Sequence, residues 1–127
     1  MILLDTHVFL WLQGKPTRLG RRCRDLIEHA PAVYVSAVSQ VEVQIKTLIG
    51  RLVIPAGVFD DLSGQGFVEL PFTHTHSAGL ATLPDSLSRH DPFDRMLLAQ
   101  AATEGLTFVT ADRHLLNLGI GLHDASR

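Results

Sequence analysis

Four acidic residues carry the chemical interest of this chain: Asp5, Glu42, Asp94 and Asp112. Asp5 follows the apolar run Met1-Ile2-Leu3-Leu4, and Asp112 follows Leu106 to Val109 by way of Thr110-Ala111. Asp94 falls in the first turn of a helix opened by Asp91-Pro92-Phe93. Glu42 lies between Val41 and Val43 in a largely apolar stretch, where an acid needs a reason. Gathered at one place, these carboxylates would repel: at ~6 Å and an effective dielectric of ~20, each pair costs roughly 3 kcal/mol. Such a cluster persists only if a cation neutralises it or protons bind. Hard oxygen ligands with retained waters are what Mg2+ takes, with Mn2+ as the alternative. One or two such ions can activate a water and stabilise the leaving oxygen of a phosphodiester.

Each acid also has a plainer account. Asp5 could cap the helix beginning at Thr6-His7-Val8, and Asp112 the one beginning at Arg113-His114-Leu115-Leu116. Asp94 could simply favour the positive end of its helix dipole. Glu42 could be paired with a buried arginine. Taken singly, the accounts of Asp5, Asp94 and Asp112 are the better ones, while Glu42 has no such ready account; jointly, four coincidences at one sheet end are less economical than one site. Asp91 reads as a helix cap one turn before Asp94, with a supporting place near the site as the alternative.

The elements that must position these acids alternate between strand and helix. Residues 1–4 read as a buried strand, followed by helix to about Leu12, where Gly14 and Pro16 intervene. Leu19 to Ile27 reads as a second helix. Val33-Tyr34-Val35 is a strand, and Ser36 caps a helix from Ala37 to about Ile49, closed by Gly50. Val38, Val41, Ile45 and Leu48 repeat at helical spacing in it and are expected to face the core. A short helix is expected over Val58 to Leu62, a strand over Phe67 to Leu70, and a short helix near Ser77 to Thr82. Asp at the cap and Pro at the first helical position start a helix that Gly105 ends. Strand Leu106 to Val109, a short helix and an edge strand at Gly121 to His123 complete an α/β pattern. Strands alternating with helices imply a parallel sheet of four to five strands, covered on both faces. In such sheets, ligands bind at the carboxyl ends of the strands.

Composition narrows the classes. At 127 residues, the chain is expected to form a single domain over 1–127, and its 46% apolar content suffices for a core. A net charge of -2 gives no global basic field, which argues against a protein that coats nucleic acid but not against an enzyme with one cleft. Cys23 is the sole cysteine, so no internal disulfide or thiolate zinc site can form. No apolar run approaches membrane-span length and the start lacks a basic leader, so a cytoplasmic protein without a membrane association is expected.

The stretches Leu3-Leu4-Asp5-Thr6-His7, Ser36-Ala37-Val38-Ser39-Gln40-Val41-Glu42, His90 to Ala101 and Val109-Thr110-Ala111-Asp112 stand in an order that resembles the PIN domain. More narrowly, they are similar to the VapC toxins of type II toxin–antitoxin pairs, over essentially the whole chain. The resemblance implies an α/β/α sandwich and a Mg2+-dependent endoribonuclease that hydrolyses RNA, often a structured tRNA or rRNA, by a metal-activated water. It maps Asp5, Glu42, Asp94 and Asp112 onto the metal positions, with Asp5 and Asp94 the surest, and sets Thr6 and Thr110 beside them as orienting groups. It also implies a homodimer and a VapB-like antitoxin that blocks the site.

Other features weigh less. His74-Thr75-His76 is expected in a surface loop rather than on zinc. His7 and His114 are expected at solvent-facing helix positions, with a touch on substrate as the alternative. Arg89, Arg95 and Arg113 stand near the acids and could hold phosphates or pair with carboxylates. Phe9, Leu10 and Trp11 read as core or dimer contact. A phosphoacceptor receiver domain also places acids at strand ends, but it needs a lysine after a late strand, and Lys15 and Lys46 both precede Gly50. A catalytically silent PIN-like module binding RNA or protein is the remaining alternative, which loss of an acid would have favoured.

Overall fold

The computed structural model describes residues 1–119 and 121–127. Five short strands form one all-parallel sheet in the order β3-β2-β1-β4-β5: β1 (Ile2–Leu4), β2 (Val33–Ser36), β3 (Val68–Leu70), β4 (Thr107–Thr110) and β5 (Leu122–Asp124). The helices are α1 (Thr6–Gly14), α2 (Arg21–His29), α3 (Ala37–Leu48), α4 (His74–Gly79), α5 (Pro92–Glu104) and α6 (Arg113–Leu116).

The central strand explains the layering. Successive side chains on a strand point to opposite faces. Ile2 and Leu4 therefore pack with Val8, Phe9, Cys23, Val35 and Val109 on one side, whereas Leu3 packs with Val38, Leu97, Leu98, Phe108 and Leu115 on the other. With no polar face, β1 reads as an uninterrupted apolar run, as a doubly covered parallel strand should. Phe9 is fully buried and stacks on Phe59 at 4.9 Å, while Leu10 and Trp11 are half-buried against the same core. Among the described residues, no helix is long and apolar enough to cross a membrane.

Two glycines are required by the backbone. Gly105 ends α5 at φ 68, the left-handed conformation that closes a helix without a Cβ penalty. Gly20 lies so close to the chain end that a Cβ would meet the Arg127 backbone at 2.0 Å.

Three expectations are corrected. In α3, only Val38 of the expected row is buried. Val41, Ile45 and Leu48 are 50%, 43% and 84% exposed, and the inward positions are Val38, Ser39, Glu42 and Val43. The helix is rotated because Ser39 and Glu42 meet the buried Thr6 hydroxyl, so polar contacts choose the face that the apolar spacing misassigns. Residues 56–66 form successive turns, not a helix over Val58 to Leu62. Gly57 and Gly66 have φ of 80 and 90, although Val58, Phe59 and Leu62 still pack on the core. Finally, His74 and His76 lie in α4, not in a surface loop. The Thr73 hydroxyl accepts from His76 N, and His76 Nδ1 accepts from Thr73 N, a reciprocal cap that starts the helix early and buries His76.

Candidate metal centre

The sheet brings the acids together through simple register. β1 and β4 pair in parallel with Leu4 opposite Val109, so the residues that follow each strand emerge side by side. Asp5 N donates to Val109 O at 2.9 Å, and Thr110 Oγ1 donates to Asp5 Oδ2 at 2.6 Å. The same Thr110 oxygen accepts from Asp112 N at 3.1 Å, so one buried hydroxyl ties two of the four acids. On the other side of β1, β2 ends at Ser36, whose side chain caps α3 by accepting from Val38 N at 3.0 Å. α3 then carries Glu42 back over the site, where Thr6 Oγ1 donates to Glu42 Oε1 at 2.7 Å. α5 runs down towards the start of β4, so its first turn, with Asp94, stands at the same sheet end.

Capping and site roles turn out to be compatible, because a carboxylate has two oxygens. Asp5 Oδ1 accepts from Thr6 N at 2.7 Å and caps α1, while Oδ2 takes the Thr110 hydroxyl. Asp112 Oδ1 accepts from His114 N at 2.9 Å and from Leu115 N at 3.3 Å, leaving Oδ2 to face His90 Nε2 at 3.4 Å. His90 Nε2 also lies 3.0 Å from Asp94 Oδ2. One ligand atom from each of His90, Asp94 and Asp112 falls within 4.8 Å of the others. Asp5 and Glu42 do not join that trio. They are 5% and 2% exposed and form the floor of the site, whereas the Asp112 side chain, at 34%, forms its rim.

The electrostatics show how much negative charge is concentrated here. Burial, then the charges of Asp5, Asp91, Glu42 and Asp112, push the Asp94 carboxyl up to about 8. The other three predicted acids are therefore all close enough to act on Asp94. Burial also raises Asp5 above its ordinary value, against the lowering effect of the Thr110 hydrogen bond. Lys46, which sequence reasoning passed over as a site residue, supplies a counter-charge. Its ammonium pairs with Glu42 Oε2 and stands 4.0 Å from Asp91 Oδ2. Burial pulls its pKa down, but the Glu42 hydrogen bond and the charges of Glu42, Asp91 and Asp94 outweigh it and hold Lys46 above the usual lysine value. Its position four residues after Glu42 on one helix was the available signal. Asp91 is the cap of α5, accepting from Phe93 N at 2.8 Å, and its second oxygen faces Lys46.

The donor set fits a hard divalent cation: several carboxylates, one at the rim, and a repulsion that a cation would relieve. Of the arginines, Arg113 binds Asp124 at 2.7 Å and Ser126 at 2.9 Å rather than a site acid. Arg89 is exposed, and Arg95 Nε is buried without a partner among the described residues. His7 and His114 are exposed, and the His114 ring stacks on His90 at 5.1 Å with an interplanar angle of 7°. A second unforeseen feature is a cleft beside Glu42, lined by Thr6, His7, Leu10, Lys46 and Arg51 among others, with basic groups close to the acids.

Comparison with known proteins points the same way. The PIN domain profile matches residues 2–120. The chain is 32% identical over 116 residues to Ribonuclease VapC22 of Mycobacterium tuberculosis, covering 90% of this chain and 88% of that protein. Among solved structures, a toxin–antitoxin complex from Klebsiella pneumoniae matches with a TM-score of 0.68 at 17% identity, covering 98% of both chains. DNA-bound VapBC from Salmonella typhimurium matches with a TM-score of 0.67 at 18% identity, also over 98% of both chains.

Proposed function

The chain belongs to the PIN domain family, and we propose that it is a divalent-cation-dependent endoribonuclease, the toxin of a VapBC-like toxin–antitoxin pair. The observation that carries this reading is the convergence of Asp5, Glu42, Asp94 and Asp112 on one sheet end, read from the mutual charges that raise Asp94 to about 8. Asp5, Glu42, Asp94 and Asp112 would hold the cation, Mg2+ or Mn2+, with Asp112 at the rim and Asp5 and Glu42 on the buried floor. When bound, the cation supplies an electrophile that activates water and offsets charge on the phosphodiester. The protein's own groups orient and balance the site. Thr110 holds Asp5, Thr6 holds Glu42, and the Lys46 ammonium pairs with the second oxygen of Glu42.

The substrate reading rests on the cleft beside Glu42. His7, Lys46 and Arg51 there offer hydrogen-bond donors to an RNA backbone within reach of the acids, and phosphate contacts are what fix the register of a nucleic acid on a protein. A structured tRNA or rRNA is the proposed target class. Residues 1–127 would act as one domain, paired with a second copy and with a VapB-like antitoxin. The apolar side chains that α3 leaves in solvent support a partnered protein, since exposed patches of that kind mark interaction sites.

The test is RNA cleavage by the purified chain with Mg2+, with Mn2+ and with a chelator, alongside RNA 5′-end sequencing after induced expression. Discrete cuts that need the cation and vanish in Asp94→Asn are expected. A folded wild-type protein that binds RNA and never cuts it would turn the reading to a catalytically silent binding module.

A further inference from the structure

We propose that His90 is itself a metal ligand through Nε2, and that with Asp94 and Asp112 it forms a mixed imidazole–carboxylate site preferring a first-row transition-metal dication to Mg2+. The inference rests on the reading of the acid cluster as a metal centre and adds a ligand that the acids alone do not predict.

Four observations carry it. First, His90 Nε2 faces two carboxylate oxygens at once, Asp94 Oδ2 at 3.0 Å and Asp112 Oδ2 at 3.4 Å. A single N–H can point well at only one of them. Neighbouring ligands around a cation with bonds of about 2.1 Å are separated by about 3 Å; His90 Nε2 already stands near that distance from both oxygens, and one ligand atom from each of the three residues lies within 4.8 Å of the others. Second, the ring is held in place. The His90 side chain is 14% exposed, and its face lies nearly parallel to the His114 ring, 5.1 Å away. Third, the oxygens facing His90 are not the ones used for capping: Asp112 caps α6 with Oδ1 and turns Oδ2 to the site. Fourth, the floor acids have other partners. Glu42 is engaged by Thr6 and Lys46, and Asp5 by Thr6 N and Thr110. Each of those oxygens keeps a further lone pair, so the floor acids and the rim trio can face one ion, with His90 on its rim side.

The consequence is chemical. Carboxylates and waters serve Mg2+ well, but imidazole is a ligand of choice for the later first-row metals, and affinity for them rises along the Irving–Williams order. A nitrogen in the set therefore favours a transition metal over Mg2+ at equal concentration.

Mn2+ is a suitable probe because it is both a first-row dication and paramagnetic. The metal-free full chain would be titrated with Mn2+ and with Mg2+ by calorimetry, and the Mn2+-loaded protein examined by pulsed electron paramagnetic resonance for nitrogen coupling. Wild type should show directly coupled 14N and bind Mn2+ more tightly than Mg2+. In His90→Ala and His90→Gln, the nitrogen signal should vanish and Mn2+ affinity should fall by about 10-fold or more, at least the lower end of what outer-shell partners deliver. Mg2+ affinity should fall less. The signal should survive in His114→Ala. Mn2+ bound to wild type without nitrogen coupling, or coupling lost in His114→Ala and kept in His90→Ala, overturns the proposal while leaving the metal centre standing. Equal Mn2+ binding by wild type and Asp94→Asn, or none by either, overturns the metal centre and this inference together.

Discussion

Two polar regions of this molecule, each reaching from the core to the surface, differ in what they ask for. One is the network of Ser36, Gln100, His76 and Glu104. Ser36 Oγ donates to Gln100 Oε1 at 2.5 Å, and Gln100 Nε2 donates to Pro71 O at 3.2 Å and lies 3.4 Å from His76 Nδ1. His76 Nε2 stands 3.4 Å from Glu104. Donors and acceptors there alternate, so the polar groups satisfy each other and join β2, α4 and α5. The other is the cluster of Asp5, Glu42, Asp94 and Asp112, where like charges face one another and Lys46 answers only part of them. The first region is complete within the chain, as buried polar groups in a core must be. The second is built with a surplus of one sign, which burial alone makes unfavourable and a bound cation would offset. That difference separates polar burial that specifies the fold from polar burial that serves chemistry.

The largest effect should come from relieving the surplus. Asp94→Asn is expected to reduce RNA cleavage by roughly 10²–10³-fold, the equivalent of the several kcal/mol that a cation contributes to charge stabilisation. In chelator, the same change should stabilise the protein. The folded-state Asp94 carboxyl stands at about 8 against an ordinary 3.8. The folded protein therefore binds that proton more tightly than the unfolded chain, and stability fully present below pH 3.8 is lost progressively as pH rises to about 8. Metal-free wild type should thus be less stable at pH 8.5 than at pH 5, and Asp94→Asn should flatten that slope, with a gain on the order of 2 kcal/mol at the alkaline end. Thermal denaturation in chelator across this range measures it. A wild-type slope of the opposite sign would show that the cluster carries no such surplus.

The complete region should respond in the reverse sense. Gln100→Leu removes the partner of the Ser36 hydroxyl and a donor to Pro71 O, leaving buried polar groups unpaired. A loss of about 2–3 kcal/mol in urea denaturation is expected, with cleavage per folded molecule changed far less than by Asp94→Asn. If Gln100→Leu instead abolished cation binding in a folded protein, the two regions would not be separable.

Thr110→Val probes the seam between two of the acids, Asp5 and Asp112. The valine keeps the shape and deletes the hydroxyl that donates to Asp5 Oδ2 and accepts from Asp112 N. Cation affinity should fall by about 10–100-fold, the range typical of outer-shell partners that orient ligands. Calorimetric titration with Mn2+ reads it.

How much of this was legible in the sequence follows the same division. The strand-end acids Asp5 and Asp112, the caps at Ser36 and Asp91 and the parallel order are local: apolar runs, capping residues and short loops state them directly. The gathering of the four acids was legible because a cation site would require those residue types at one sheet end. The partners that make it work were less so. Lys46 stood in plain view four residues after Glu42, but i,i+4 pairs are common on exposed helices, and nothing local marks this one as half-buried. His90 precedes the helix cap, where its ring direction depends on tertiary packing against His114 and Asp112. His76 looked like a loop residue, because a reciprocal cap between Thr73 and a histidine is not a familiar signal.

The smallest predicted effect concerns the place where apolar periodicity misled. An apolar row at helical spacing normally marks the core face. On α3, that row faces solvent from Val41 onward, because Ser39 and Glu42 are drawn inward by Thr6. The rotation has an energetic signature in the isolated chain. Val38→Ala, at a side chain 4% exposed, should cost about 1–3 kcal/mol, whereas Leu48→Ser, at one 84% exposed, should change stability by no more than about 0.5 kcal/mol. Denaturation at low protein concentration, where association does not contribute, makes the comparison clean. A large loss for Leu48→Ser under those conditions would mean that α3 packs by its apolar row after all. Glu42 would then be turned away from Thr6, and the site would lose one of its four acids.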